Sequence, residues 1–544
     1  MGIATMEAME AQIRLLEVEE RPADEGERGE EEGVGVDKTF RPYDPDQLLL
    51  LSPSIQDWVP DGHLAGFVSD LVEHGLDLSP IYAAYEEERG FPPYDPRLML
   101  KLLLYGYATG TPSSRKLEQR SYDDVACRFL CADQHPDYRS IARFRRRHLE
   151  ALSELFTQAF ALCAKAGLVK LGRVALDGTK LRANASRHKA MSYERMEREE
   201  ARLEGELAEL RARAQALLEQ AEQADEAEDA RYGEDRRGDE LPEELARREK
   251  RLQTIREAKA ALEAEARAKA EGKRRTGDDD EPPKPKPKAQ RNFTDPDSRI
   301  MKTADKSFHQ CYNGQAVVDE RSQVIVAAEL TDCAADAPGL APLLDQLEAN
   351  VAAAAPALDL EGTELLADSG FYSEDNVDAC TERGLDPFIA TGRLKHSQAP
   401  PPAPRGRIPK GATPKQRMAR KLRTRKGRAA YARRKAIVEP VFGQLETVQN
   451  GRRLLLRGKP AARAEWRLHC ACHNLLKLFR AGGLARLRPQ AGAEGTPGAS
   501  KKRLRAASLD ALCGRGRALR GWLAANPRVR AAISVPALVT DPGS

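Results

Sequence analysis

Gly172–Ser186 reads GRVALDGTKLRANAS, and there the chain changes from helical to extended texture. Val174–Leu176 is a short apolar strand ending in Asp177. Further strands are expected at Gln310–Glu320 (QCYNGQAVVDE) and Ser322–Asp332 (SQVIVAAELTD), separated by charged turn residues as in a hairpin. Two more follow at Thr363–Gly370 (TELLADSG) and Asp386–Thr391 (DPFIAT), each preceded by a helix, at Pro338–Ala354 and Ser373–Gly384. Antiparallel strands followed by strand–helix alternation predict an α+β domain: a mixed sheet with helices on its faces, over residues 168–480.

Upstream, residues 40–167 carry a helical pattern. Apolar residues recur at spacings of three and four in His63–Gly75, Pro96–Gly110 and Leu149–Cys163, with Gly and Pro at the breaks. Thr111–Asp124 and Pro136–His148 are expected to be short helices. The second is strongly basic through Arg143, Arg145, Arg146 and Arg147. Such a helix suits a DNA groove, and equally suits a solvated arginine face. Residues 1–39 are acidic and Gly-rich without apolar periodicity, which predicts a disordered tail.

Residues 191–291 interrupt the sheet domain with a different composition. Met196, Leu203, Leu210 and Leu217 repeat every seven residues, and Leu207, Ala214 and Ala221 take the second heptad position, the seam of a coiled coil. Arg231–Pro242 breaks the pattern, and Pro242 opens a returning helix whose Leu245, Leu252, Ile255 and Leu262 match the first stripe. The pair is expected to fold as an antiparallel hairpin, followed by a charged, Pro-rich linker at Gly272–Gln290. A long helix over Tyr431–Leu445 and another in Pro460–Gly483 complete the domain. Residues 481–544 become an Arg-, Ala- and Gly-rich tail with one candidate helix at Ser508–Ala525.

Across 544 residues, 41% are hydrophobic, 31% charged and only 5% aromatic, a helix-rich composition with long polar surfaces. No stretch approaches a membrane span, and the N-terminus carries acids where a signal peptide has a basic region, so a cytoplasmic location is expected. Nine scattered cysteines do not make a disulfide framework. Cys127 with Cys131, and Cys470 and Cys472 with His473, lack the second spaced pair of a zinc site and fit buried helix faces. The net charge of +3 hides segregation. Arg405–Lys435 contains no acid at all, a run suited to lying along phosphates.

Phosphodiester chemistry needs charge neutralisation at the attacking and leaving oxygens, and Mg2+ or Mn2+ held by Asp and Glu carboxylates supplies it. Asp177 and Asp368 each follow an apolar strand; at adjacent strand ends both would enter one crevice. Glu439 lies in a helix whose Ile437, Val438, Val441 and Phe442 are expected to press it onto that sheet. An Asp just past a strand is by itself usually a turn former or a helix cap.

The segments DGTKLRANAS (177–186), DSRIMK (297–302), YNGQAVVD (312–319), LLADSGFYS (365–373), YARRKAIVEPVFGQLE (431–446) and HNLLKL (473–478) occur in the order found in bacterial insertion-sequence DDE transposases, which the chain resembles over residues 40–480. It resembles the subgroup with a helical insertion after the first Asp. The resemblance implies a ribonuclease-H-like catalytic domain, with Asp177, Asp368 and Glu439 as ligands of Mg2+ or Mn2+. It implies a helical N-terminal DNA-binding domain that recognises terminal inverted repeats, and double-stranded DNA as partner at both transposon ends and target. Holding two ends implies a homodimer in the DNA complex. Tyr431 and Arg434 match residues that position the DNA end. Many relatives carry Lys seven residues past the Glu; here that position is Glu446, and Arg452, Arg453 or Arg457 would take over the phosphate contact. Thr179, Lys180, Asn184 and Tyr372 are further candidates for supporting or DNA-contacting roles. Of three alternatives, the three carboxylates argue against a non-catalytic regulator of the same descent, and the strands and basic segments against a structural coiled-coil protein, while a metal nuclease without strand transfer shares all of these features.

Overall fold

The computed structural model describes residues 54–85, 93–186, 189–228, 241–271, 284–392, 401–409 and 411–487. The acidic N-terminal stretch, most of the linker after the insertion and the C-terminal candidate helix lie outside the described residues.

One long strand organises the sheet. β5 (Phe308–Asp319) pairs antiparallel with β1 (Arg173–Arg182) along one edge, from Val174 opposite Asp319 to Arg182 opposite Cys311. Its other edge is shared by β4 (Arg299–Lys302) and β6 (Ile325–Thr331), both antiparallel to it. Across β1, the short parallel strands β7 (Glu364–Ala367) and β8 (Asp386–Ile389) complete the order β6–β5–β1–β7–β8. All four residues of β7 are buried, as expected for an inner parallel strand.

β1 does not stop at Asp177 as its apolar run suggests. It continues to Arg182, because the twelve-residue β5 keeps supplying ladder partners after β7 has ended.

Among the described helices, α1 (Leu64–His74), α2 (Ser79–Tyr82), α3 (Pro96–Ala108), α4 (Ser114–Asp123), α5 (Val125–Leu130), α6 (Tyr138–Arg147) and α7 (Leu149–Lys165) precede the sheet. α8 (Tyr193–Glu228) and α9 (Leu241–Glu271) form the insertion; α10 (Leu340–Ala354), α11 (Glu374–Glu382), α12 (Pro414–Arg423), α13 (Arg425–Gly443) and α14 (Lys459–Arg480) follow. α14 is buried on nearly every side, including Trp466, Cys470, Cys472 and His473. A helix buried all round sits between layers. Here α14 packs on β6 on one side and on α7 and α3 on the other, so the upstream helices and the sheet share one core.

A buried polar chain crosses that junction. Arg145 Nη1 donates to the Tyr107 hydroxyl at 3.1 Å, and that hydroxyl donates to Glu465 Oε1 at 3.1 Å. Glu465 Oε2 accepts from the backbone N–H groups of Leu455 and Leu456, both at 2.8 Å. Burial holds the Glu465 carboxyl above its ordinary range, while Arg145 pulls the other way. Arg145 is therefore not a DNA-reading residue. It shares the inward stripe of α6 with Ile141 and Phe144, whereas Arg143 and Arg146 face solvent.

The insertion packs as its own cluster. Met196, Leu203 and Leu207 of α8 meet Leu252, Ile255, Ala258 and Leu262 of α9, and ion pairs such as Arg256–Glu200 and Arg211–Glu249 set the helices antiparallel. The side chains of Ala214, Leu217, Ala221 and Leu245 lie outside the described residues. The two-stranded pair β2 (Ala190–Ser192) and β3 (Gln290–Asn292) closes the base.

Two outcomes follow from this packing. Replacing Tyr193–Lys288 by a short flexible linker leaves a soluble protein with a cooperative thermal transition; loss of that transition would show that the hairpin supports the core. Arg145→Ala leaves Glu465 buried without its cation and costs about 3–5 kcal/mol in denaturant unfolding. Arg143→Ala and Arg146→Ala stay within about 0.5 kcal/mol of the parent.

Candidate active site

The β1–β7 register decides where the two aspartates lie. Arg173 pairs with Glu364 and Ala175 with Leu366. Carried two residues further, the same register sets Asp177 beside Asp368. Asp368 is the first residue past β7 and caps the turn Ser369–Phe371, its Oδ1 accepting from Gly370 N at 2.8 Å. Asp177 Oδ1 accepts from Gly178 N at 2.9 Å.

α13 crosses this part of the sheet. Thr424 caps its N-terminus, and Ile437, Val438, Val441 and Phe442 bury against the core. Arg434, only 11% exposed, donates from Nη1 to Asp177 Oδ2 at 2.9 Å. Burial raises the Asp177 carboxyl above its ordinary value; the Arg434 guanidinium opposes this and the Asp368 charge adds to it. Tyr431, one turn before Arg434, is likewise raised by burial and feels both aspartates. Two carboxylates and their two neighbours on α13 are therefore brought together.

Glu439 is not part of that group. Its side chain is 61% exposed and its ion-pair partner is Lys435, at 3.7 Å. Five residues past Arg434 is about 140° around a helix, so a turn that aims Arg434 at Asp177 aims Glu439 away. The apolar neighbours press the helix onto the sheet as expected, but not this side chain. The acid of this region that reaches the face of Asp177 is Glu446. α13 runs into a π-helical turn at Gln444–Val448, and Glu446 Oε1 accepts from Thr179 Oγ1 at 2.7 Å. Thr179 stands two residues beyond Asp177 and on the same face of β1.

Lys180, on the opposite face, pairs with Asp336 at 2.9 Å. Asn184 donates to Leu455 O at 2.6 Å, and Arg457 to Asn184 O at 3.0 Å, which fixes the end of the Asp177 segment to the loop before α14. Arg182 bridges to Arg453, and Arg452 lies 3.6 Å from Glu446, so both exposed arginines rim the far end of β1. The Tyr372 hydroxyl is buried without a hydrogen-bond partner.

Much of the basic run is engaged internally. Arg420 donates to the carbonyls of Arg405 and Gly406, Arg423 to Pro402, and Arg428 to Pro401, pinning the preceding strap onto α12 and α13. Lys421 holds Asp386 and the Pro387 carbonyl. Arg425 and Lys426 remain exposed, Lys426 with Glu364 3.3 Å away.

Among the described residues no three His, Cys, Asp or Glu side chains stand close enough together to hold a metal ion. Two paired carboxylates still suit Mg2+, which is commonly held by one or two carboxylates together with waters and substrate phosphates. Burial, with a smaller contribution from the neighbouring Asp368 charge, raises Asp177, a cost that a cation would relieve. The sequence did not single out Asp336, because an Asp before a Pro-Gly helix start looks like a cap. Glu446 was legible only as the absence of a lysine.

No described helix is long and apolar enough to cross a membrane. Residues 53–147 match the family model of a transposase domain, DUF772, and residues 283–475 match that of the transposase DDE domain. The second match contains Asp368, Tyr431, Arg434 and Glu439; Asp177 and the hairpin lie between the two. Searches among curated proteins and among solved structures found no match. Together the two domain matches indicate a DNA transposase of the insertion-sequence type, a class of enzyme that cleaves DNA and transfers strands.

Proposed function

We propose that the chain binds the terminal inverted repeats of its own element, hydrolyses the phosphodiester at each end and transfers the freed 3′-hydroxyls to target DNA. The observation that carries this reading is the placement of Asp177 and Asp368 side by side under Arg434 and Tyr431. A ribonuclease-H-like core is supported by the strand order β6–β5–β1–β7–β8, an antiparallel meander followed by two parallel strands. The work takes place in the bacterial cytoplasm on nucleoid DNA, with two copies holding the two ends.

Asp177 and Asp368 would hold divalent cations; Glu439, outward-facing and paired with Lys435, would have to turn toward them on DNA binding to serve as the third carboxylate. When bound, Mg2+ or Mn2+ supplies an activated water and neutralises charge at the attacking and leaving oxygens. Arg434 keeps Asp177 oriented. Tyr431 and Arg434 lie where the DNA end would pass, and Arg452 and Arg453 offer cations for its phosphates. Arg143 and Arg146 present the outward face of α6 to the duplex.

Asp177→Asn, Asp368→Asn and Glu439→Gln are each expected to abolish Mg2+- or Mn2+-dependent nicking of a labelled transposon-end duplex while retaining its binding. Glu446→Gln is the companion variant: cleavage lost there but kept in Glu439→Gln would hand the third position to Glu446. Equal cleavage by wild type and the aspartate variants would remove the site, and binding without cleavage by the wild type would mark a regulator.

For the duplex interface, replacing Arg425 and Lys426 together by Ala lowers the slope of log affinity against log salt by about 0.9 per lost phosphate contact. An unchanged slope takes that surface off the DNA.

A further inference from the structure

Arg434 is fastened differently from the arginines that hold the fold together. Arg145 donates to the Tyr107 hydroxyl, the Pro112 carbonyl and the Ser114 hydroxyl, and Arg467 to the Ala328 carbonyl, the Ser153 hydroxyl and the Glu329 carboxylate. Among the described residues Arg434 makes one hydrogen bond, from Nη1 to Asp177 Oδ2 at 2.9 Å. A guanidinium carries five donors in a fixed fork, so most of this one is unused although the side chain is only 11% exposed.

Its position is that of a cation. The charges of Asp177 and Asp368 both act on Arg434, and with the Gly178 N–H on Asp177 Oδ1 each oxygen of that carboxylate is already engaged. The neighbouring cations of α13 are turned elsewhere: Arg433 pairs with Glu320 at 2.7 Å and Lys435 lies 3.7 Å from Glu439, both more than half exposed. A guanidinium and a divalent cation on one carboxylate repel each other. Phosphate, which accepts two parallel N–H groups, suits the unused part of the fork.

We propose that Arg434 is the resting counter-ion of Asp177 and Asp368, and that a phosphate of the DNA end draws it away, so that DNA binding opens the carboxylate pair to a divalent cation. This rests on reading Asp177 and Asp368 as cation ligands. The coupling is reciprocal: the factor by which DNA raises cation affinity is the factor by which the cation raises DNA affinity. The sign of one variant separates this role from a structural one. If Arg434 only oriented Asp177, its loss would weaken cation binding; as a counter-ion, its loss strengthens binding and removes the dependence on DNA.

The test is calorimetric titration of the full chain with Mn2+, alone and on a pre-cleaved transposon-end duplex with a 3′-deoxy terminus, so that no chemistry accompanies binding. The duplex is expected to tighten Mn2+ binding by wild type on the order of ten-fold. Arg434→Gln should gain a similar factor without DNA and little more with it, whereas Arg434→Lys, which keeps the charge, should stay near the parent. Arg433→Gln removes an equal charge from the same helix and should also stay near the parent. Weaker Mn2+ binding in a folded Arg434→Gln, or equal gains in Arg434→Gln and Arg433→Gln, would overturn the counter-ion. If Arg434→Gln does not fold, wild type still decides, because a duplex that leaves its Mn2+ affinity unchanged overturns the coupling. Binding lost in Asp177→Asn and Asp368→Asn under any of these results leaves the proposed function standing; unchanged binding in both aspartate variants overturns the two readings together.

Discussion

β1 is held by two partners of unequal length, and the candidate site is a consequence of that inequality. On one side β5 pairs with it as far as Arg182; on the other the pairing with β7 ends at Ala175 opposite Leu366. The polar half of β1, from Asp177 onward, therefore loses its inner neighbour while remaining rigidly laddered to β5. Asp368 emerges where β7 stops, and the loop carrying Arg452 and Arg453 comes back to β1 only at Arg182. Open α/β sheets commonly bind ligands beyond the carboxyl ends of their strands, and here the stagger makes that opening in the middle of a long strand.

What supports the stagger is the layer behind it. α14 is packed on both sides, with Trp466 against Gly314 of β5, where a Cβ would come within 3.2 Å of the indole ring. The same helix supplies Glu465, whose carboxylate ties the Leu455–Leu456 loop to Tyr107 and Arg145. Breaking a buried pair of this kind is expensive, so the chain is more constrained here than its helical pattern alone conveys. The N-terminal helices that present Arg143 and Arg146 are thereby fastened to the layer beneath the site.

Charge is distributed according to the same logic. Arg145, Arg420, Arg423, Arg428 and Lys421 belong to runs that look like DNA-binding surface, yet each is engaged by the protein's own carbonyls, hydroxyls or carboxylates. Arginine offers five donors in a fixed fork, which suits it to fastening a strap as well as to gripping phosphate. Those whose side chains stay exposed, among them Arg143, Arg146, Arg425, Lys426, Arg452 and Arg453, form a smaller set, and of these Lys426 and Arg452 still lie beside a carboxylate.

The sequence by itself determined the elements. Apolar runs at Gln310–Glu320, Ser322–Asp332, Thr363–Gly370 and Asp386–Thr391, and the heptad stripes of the insertion, are local patterns that burial enforces one element at a time, and Asp177 and Asp368 stand out because each follows such an apolar run. Tertiary structure alone decided what those side chains meet. That β1 continues past Asp177 depends on the length of β5, a strand more than a hundred residues away. That Arg145 turns inward depends on a glutamate more than three hundred residues on. Glu439 points outward while Glu446 reaches Thr179 because a helix is rotated by the whole of its buried face and then widened by a π turn, and it is the sheet beneath α13 that decides which side chain of that face meets Asp177. Asp336 gains its Lys180 partner only when a loop and a strand converge, since the positions of charges in space follow from the packing of their elements rather than from their order along the chain.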